Sequence, residues 1–277
     1  MVIRMRAPTQ LPHLVTVGLE RLRRTGHRGN LIPPHRAFHR LHLSKRRLAL
    51  GAAFALLCTA ALLVLRTTIS ACWGDLLTWW LQAMTLPGLV ITAAPADNGW
   101  LALAVPRAEV PALPPQAGLP LLHAGLIAGC WWLAGRLPDA AMPWAYLLRF
   151  AMLIQGVALL FFWLWPASFL HSVSEHTANG LRQTWALMLL TPWLHLGTYY
   201  LFPFPAWHSL MFTLLTLAYL FVLAPLQYAL HAALLVHLGL VVMPLLYLLF
   251  GVMLDILGFV ALYAWAMSWH QPGAERA

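Results

Sequence analysis

Between Trp185 and Trp269 the chain carries a single charged residue, Asp255, and four histidines, His195, His208, His231 and His237. Nearly everything else there is Leu, Ala, Val, Phe, Trp, Tyr or Met. Water is a poor solvent for so long an apolar run. At 1.5 Å of rise per residue, about 20 helical residues cross a hydrocarbon core of roughly 30 Å. The stretch therefore predicts three or four crossings, with breaks at Pro203-Phe204-Pro205 and around Pro225-Leu226-Gln227.

Composition points the same way. Charged residues make up 9% of the 277 and hydrophobic ones 61%, whereas an ordinary soluble domain carries roughly 25% charged residues. In lipid the backbone must satisfy its own hydrogen bonds, so the spans should be helices. Short alternating segments of the kind that build a β-barrel are not seen in the runs. The expected fold class is an all-α polytopic membrane protein of about six spans, with seven as the alternative.

Charge sets the orientation. Residues 1–47 hold eleven Lys or Arg against one acid, Glu20. Such a patch directly before a span reads as a cytoplasmic tail touching anionic lipid, with Arg21, Arg23, Arg24, Arg28, Lys45, Arg46 and Arg47 as the contacts, rather than as a nucleic-acid site. An amphipathic helix over 11–24, or an unstructured basic tail, fits this segment. An Arg-rich, acid-poor start also fits a mitochondrial transit peptide. No cleavable signal peptide is expected, because the first apolar run begins late, near Leu48.

The expected division is a tail (1–47), a first span (48–65), an extracytoplasmic segment (66–118), a helical bundle (119–269) and a short C-terminal tail (270–277). In the outer segment Ile69, Trp73, Leu76, Leu77, Trp80 and Met84 share one helical face, which suits a helix flat on the outer leaflet or one extending the first span. Leu89–Thr92 and Trp100–Val105 read as strands joined through Asp97-Asn98-Gly99, a hairpin signal. Five prolines from Pro106 to Pro120 make a stiff return. Further spans are expected near Leu119–Gly135, Trp144–Trp165, Trp185–Phe202 and Leu210–Tyr228, with an outer loop from Pro166 to Thr184. Residues 229–269 fit either an outer turn bearing His231 and His237 followed by one long span, or two short spans broken at Pro244.

Few residues suggest chemistry. His171, Glu175 and His176 are a loose metal or acid–base candidate, although their spacing matches neither HExxH nor HxxEH. A solvated loop with a His171–Glu175 or Glu175–Arg182 pair is the plainer reading. His195 with His231 or His237 is a candidate pair of axial ligands for haem b, against a reading in which these histidines simply pack. No cofactor is expected on balance. The threonine stripes around His195 and on the fifth span suggest hydrogen bonds between helices. Asp255 is the costliest residue, at about 2.5–3.5 kcal/mol for a central aspartate. Gly251 and Gly258 flank it and should let another helix approach, bringing His195 or Tyr199 as its partner. Gln155 with Gly156 is a second polar contact point. Of the three cysteines, Cys58 and Cys130 fall in spans and Cys72 outside them, so no disulfide framework follows. Cys130 reads as a small packed residue.

One layout is familiar. A single span, a short outer segment with the strand-like Trp100-Leu-Ala-Leu-Ala-Val105, a Pro-rich return, and Gly118-Leu-Pro-Leu-Leu122 entering the next span together resemble accessory membrane proteins of bacterial exosortase systems, over about residues 45–165. The resemblance implies an envelope-assembly accessory and brings no catalytic motif. The resulting expectation is a bacterial inner-membrane accessory or scaffold with no catalytic chemistry evident and with a membrane-protein partner. The alternatives are a membrane enzyme or haem protein using the histidines and Asp255, and a transporter subunit with a polar path through Asp255.

Overall fold

The computed structural model describes residues 45–84, 86, 90–93, 101–109, 118–201 and 206–268. The basic tail up to Ser44, including Arg21, Arg23, Arg24 and Arg28, lies outside the described residues, as does the Asp97-Asn98-Gly99 turn.

Apolar helices dominate, as lipid demands. α1 (Lys45–Val64) opens on Lys45 and Arg46, both exposed. The chain bends by 60° at Leu65 into α2 (Arg66–Ala83). Backbone hydrogen bonds continue through the bend, from Leu65 N to Ala61 O and from Ile69 N to Leu65 O (2.9 Å each). The predicted amphipathic helix therefore forms, but its apolar face is turned into the protein: Ile69, Trp73, Leu77 and Leu81 are buried. α2 packs on α6 and on the small sheet. It neither lies free on lipid by that face nor continues α1 in line.

The sheet pairs β1 (Val90–Ala93) with β2 (Pro106–Glu109), antiparallel, in the register Val90↔Glu109 to Ala93↔Pro106. The first strand falls where the sequence suggested. The second does not, because Leu101–Val105 is the approach to β2 and not the strand. Leu103 and Val105 are drawn into the main apolar core instead, and their burial places Pro106 as the first ladder residue, where a missing N–H is tolerated.

α3 (Leu119–Ala134) and α4 (Met142–Leu164) each begin with proline in the first turn and pack on one another. A 3₁₀ turn, Pro166–Ser168, leads to α5 (Val173–Leu201). The expected outer loop from Pro166 to Thr184 is thus mostly helix, and α5 begins a dozen residues before the expected fourth span. α6 (Ala206–Leu238) likewise runs unbroken through Pro225. No outer turn holds His231. Gly239, at φ 77°, ends α6 in the left-handed region that a side chain resists. The last helix follows as a 3₁₀ turn (Leu240–Val242), one α turn (Met243–Leu245), a π segment (Leu246–Val252) and α7 (Met253–Ser268). Pro244 lies in its first turn and breaks nothing.

Three helical runs are long and apolar enough to cross a membrane: Asp139–Leu164, Trp207–Leu238 and Leu240–Ala266. Counting the bent α1–α2 pair as one span makes four. α5 and α6 form the centre, with α1 and the sheet against α5 and α2 against α6. The sheet meets the N-terminal half of α5 at Thr177, and Leu77 and Leu81 of α2 meet the C-terminal half of α6 at Ala229 and Ala232. Two tryptophans fasten that junction. Trp73 Nε1 donates to Phe221 O (3.0 Å) and Trp185 Nε1 to Leu101 O (2.8 Å). On the far side, His123 of α3 bonds the Leu238 carbonyl (2.9 Å), one of those left free where α6 stops. Gln155 Nε2 of α4 donates to Val241 O (3.2 Å). Gln155 is therefore a clamp on the α6-to-last-helix turn, while Gly156 has nothing close to it.

Candidate functional site: a buried polar cluster

The continuity of α6 through Pro225 determines the site. Gln227, Tyr228 and His231, which a break would have put in a wet turn, instead lie on a helix in the middle of the bundle. Each is at most 4% exposed.

Two glycines admit the tyrosines. A Cβ at Gly180 of α5 would overlap the Tyr228 ring, and one at Gly258 of α7 would overlap the Tyr219 ring. These contacts set the register of α6 against both neighbours. Asp255, 2% exposed, consequently faces the Gln227 amide and stands close enough to Tyr219 and Tyr228 for its charge to act on both hydroxyls. The amide and carboxyl do not reach hydrogen-bonding geometry. Both Gln227 amide atoms, Asp255 Oδ2 and the Tyr228 hydroxyl are buried without a partner. Thr184, beside that hydroxyl, donates to its own helix at Gly180 O (3.2 Å).

A histidine pair adjoins this group. His176 Nε2 and His231 Nδ1 are 3.1 Å apart, with ring centroids 5.3 Å apart, so one ring donates and the other accepts. Tyr228 stands edge-on to both rings, at 6.0 and 5.2 Å, and Tyr247 of the π segment stands 6.1 Å from His176. His231 Nε2 faces the Phe250 backbone in the π segment without closing a hydrogen bond. π turns widen a helix and disturb its bonding ladder, which suits them to such places.

The expected site residues divide. His171 and Glu175 stay together on the surface as an ion pair at 3.8 Å. His176 points inward, about 100° round the helix from Glu175, so the three do not converge. Among the described residues no group of three His, Cys, Asp or Glu could hold a metal ion. His195 is not Asp255's partner. Its Nδ1 meets Thr213 Oγ1 (3.0 Å), and its ring lies between Phe212 and Phe259 (centroids 4.3 and 5.4 Å). Because the Thr213 hydroxyl spends its proton on Ser209 O (3.0 Å), Nδ1 is the donor. Tyr199 lies one turn further along α5. His195 and His231 thus contact different sets of residues, and His237 is exposed at the end of α6. The threonine stripes mostly bond within their own helices: Thr191 to Leu187 O, Thr216 to Phe212 O and Thr198 to Leu194 O. Cys130 is a half-buried free thiol.

Asp255's polar neighbours come from the fifth predicted span, but they are Gln227, Tyr219 and Tyr228, none of them hydrogen-bonded to it. The signal that could have found them is the local density of Gln227, Tyr228 and His231, at offsets of one and four, inside an otherwise apolar helix.

No protein-family model, curated protein or solved structure matches this chain.

Proposed function

We propose that the chain is a multi-pass protein of a bacterial inner membrane, serving as an accessory or scaffold subunit of an envelope, export or assembly system. Six spans fit this reading: α1, α3, α4, α5, α6 and the last helix, with the basic tail cytoplasmic and held to anionic lipid. The observation that supports it best is the outer module. α2 and the sheet are fastened to α5 and α6 by Trp73 and Trp185, by Ala108 N to Thr177 Oγ1 (3.3 Å), and internally by Ser70 to the Ala104 carbonyl. A loop needs no such anchoring, whereas a platform that presents a surface to a partner does. The layout of residues 45–165 supports the same class.

A photo-cross-linking residue placed at Asp75 or Trp79, both on the outward face of α2, tests it in native membranes. Both positions should capture the same membrane protein, and Trp73→Ala should abolish the adduct. A chain that gives no adduct from either position and behaves as a lone monomer after gentle extraction is not a scaffold. A transporter subunit is the second reading, and the buried Asp255 cluster is what favours it.

A further inference from the structure

Five buried polar atoms stand unpartnered on neighbouring residues of α6 and α7: Gln227 Nε2 and Oε1, Tyr228 Oη, His231 Nε2 and Asp255 Oδ2. Leaving a buried group unsatisfied costs about 1–3 kcal/mol, more for a charged one. Apolar residues of similar size would have built a cheaper bundle. Ionisable residues inside a membrane bundle commonly mark proton or ion paths.

We propose that Asp255 is a proton-binding site, supplied from the surface end of α5 through the His176–His231 pair and the Tyr228 hydroxyl. The exposure gradient gives the direction. His171 and Glu175 are exposed, His176 is 6% exposed, and His231 is 1% exposed. His176 is only one residue from Glu175, in the first turn of α5. From His231 the path turns toward Asp255 along the Tyr228 ring.

The transfer balances with neutral rings. A proton arriving at His176 Nδ1 releases the Nε2 proton to His231 Nδ1. His231 in turn releases its Nε2 proton, which no hydrogen bond to the adjacent Phe250 backbone holds, and the Asp255 carboxylate takes up one proton to become the acid. Both imidazoles end as the other tautomer, and reverse passage or a ring flip resets them. His231 and Asp255 share no direct hydrogen bond, so the last step runs through the Tyr228 hydroxyl or water, either of which donates and accepts. The titratable groups facing this route are His176 from α5, Tyr219, Tyr228 and His231 from α6, Tyr247 from the π segment and Asp255 from α7, with His171 and Glu175 at the mouth. Gln227 offers the carboxyl a neutral neighbour in either protonation state. A metal ion suits the place less well, because one carboxylate is the only anionic ligand and imidazole and hydroxyl separate it from the other donors.

This inference does not depend on the accessory reading, since a scaffold without a proton site would pass the cross-linking test and fail this one. Infrared difference titration of the full-length protein in lipid nanodiscs tests it. The wild type should show a titrating protonated-carboxyl band that Asp255→Asn removes and Asp255→Glu shifts. In His176→Phe and His231→Phe the band should persist while its hydrogen–deuterium exchange slows by about a hundredfold, the low end of what a positioned proton-transfer group supplies. The Asp255→Glu shift assigns the band if Asp255→Asn fails to fold. Absence of any band assignable to Asp255 overturns the proposal. So does exchange at the wild-type rate in both histidine variants.

Discussion

A methyl group at Gly180 has no place to go except into the Tyr228 ring, and one at Gly258 meets Tyr219 in the same way. Overpacking of this kind costs about 1–3 kcal/mol. Gly180→Ala and Gly258→Ala should each lower the thermal midpoint in detergent, while Gly156→Ala, with nothing near it, should leave it unchanged. Tyr228→Leu added to Gly180→Ala should recover part of the loss, because the shorter side chain vacates the contested space. If Gly180→Ala melts with the wild type, the close approach of α5 and α6 is wrong. Sequence reading found Gly258 and its purpose, since small residues permit close helix contact, whereas a Cβ at Gly251 would meet only ordinary contacts and Gly180 was passed over. That reading missed which side chain uses Gly258. Pairing depends on the register between helices, and only three-dimensional contacts fix that register. His176 and His231 were each legible as polar residues worth notice, but nothing in a separation of 55 positions announces that their rings touch.

At the scale of elements, proline was the misleading signal. Inside a soluble helix it removes a hydrogen bond and clashes, and so it reads as a stop. In an apolar bundle a broken helix exposes further backbone groups that lipid cannot satisfy, and continuing the helix past proline becomes the cheaper choice. α5 keeps Pro192 and α6 keeps Pro225 inside them. Gly239, which sequence reading passed over, is the residue at which α6 ends. The amphipathic pattern of α2 was read correctly, although the solvent for its apolar face was taken to be lipid when it is α6. Trp73 tests that difference. It is fully buried and donates to Phe221 O. Trp73→Ala should destabilise by about 3–5 kcal/mol through the cavity it leaves. Trp73→Phe should cost less, about 1 kcal/mol for the lost hydrogen bond plus some packing. Limited proteolysis between residues 94 and 105 reads the effect, with faster cleavage in the order Ala, Phe, wild type. Equal cleavage of all three would mean that α2 does not hold the outer module in place.

Across the whole molecule, helix length and composition give three helical runs able to cross a membrane, or four with the bent α1–α2 pair, and the proposed six spans need α3 and α5 to cross as well. α6 has 33 residues, about 50 Å of helix against a hydrocarbon core of roughly 30 Å. One end must therefore stand clear of the acyl chains. The end that carries α2 and the sheet is the C-terminal half, where Ala229 and Ala232 pack against Leu77 and Leu81. α5 has 29 residues, and its polar first half, with Glu175, His176 and Arg182, lies beside the same module through Thr177 and Ala108. Its apolar second half meets the basic end of α1, where Leu196 fills the space over Gly51. The two ends of the bundle thus differ in kind, and under the proposed topology the end with Lys45 and Arg46 is the cytoplasmic one. α3, with 16 residues, supplies only about 24 Å, which requires local thinning of the bilayer or snorkelling at its ends if it crosses. Paired phosphatase and fluorescent reporters fused after Val110, Pro138, Leu170, Phe204 and Ala277 should read out, in, out, in, in. The decisive pairs are the second with the first and the fourth with the third. If Pro138 reports the same side as Val110, α3 does not cross, and if Phe204 reports the same side as Leu170, α5 does not. Both results together would leave α3 and α5 as helices held in the bundle by protein contacts, and the chain would cross only with the helices that are long and apolar enough to do so unaided.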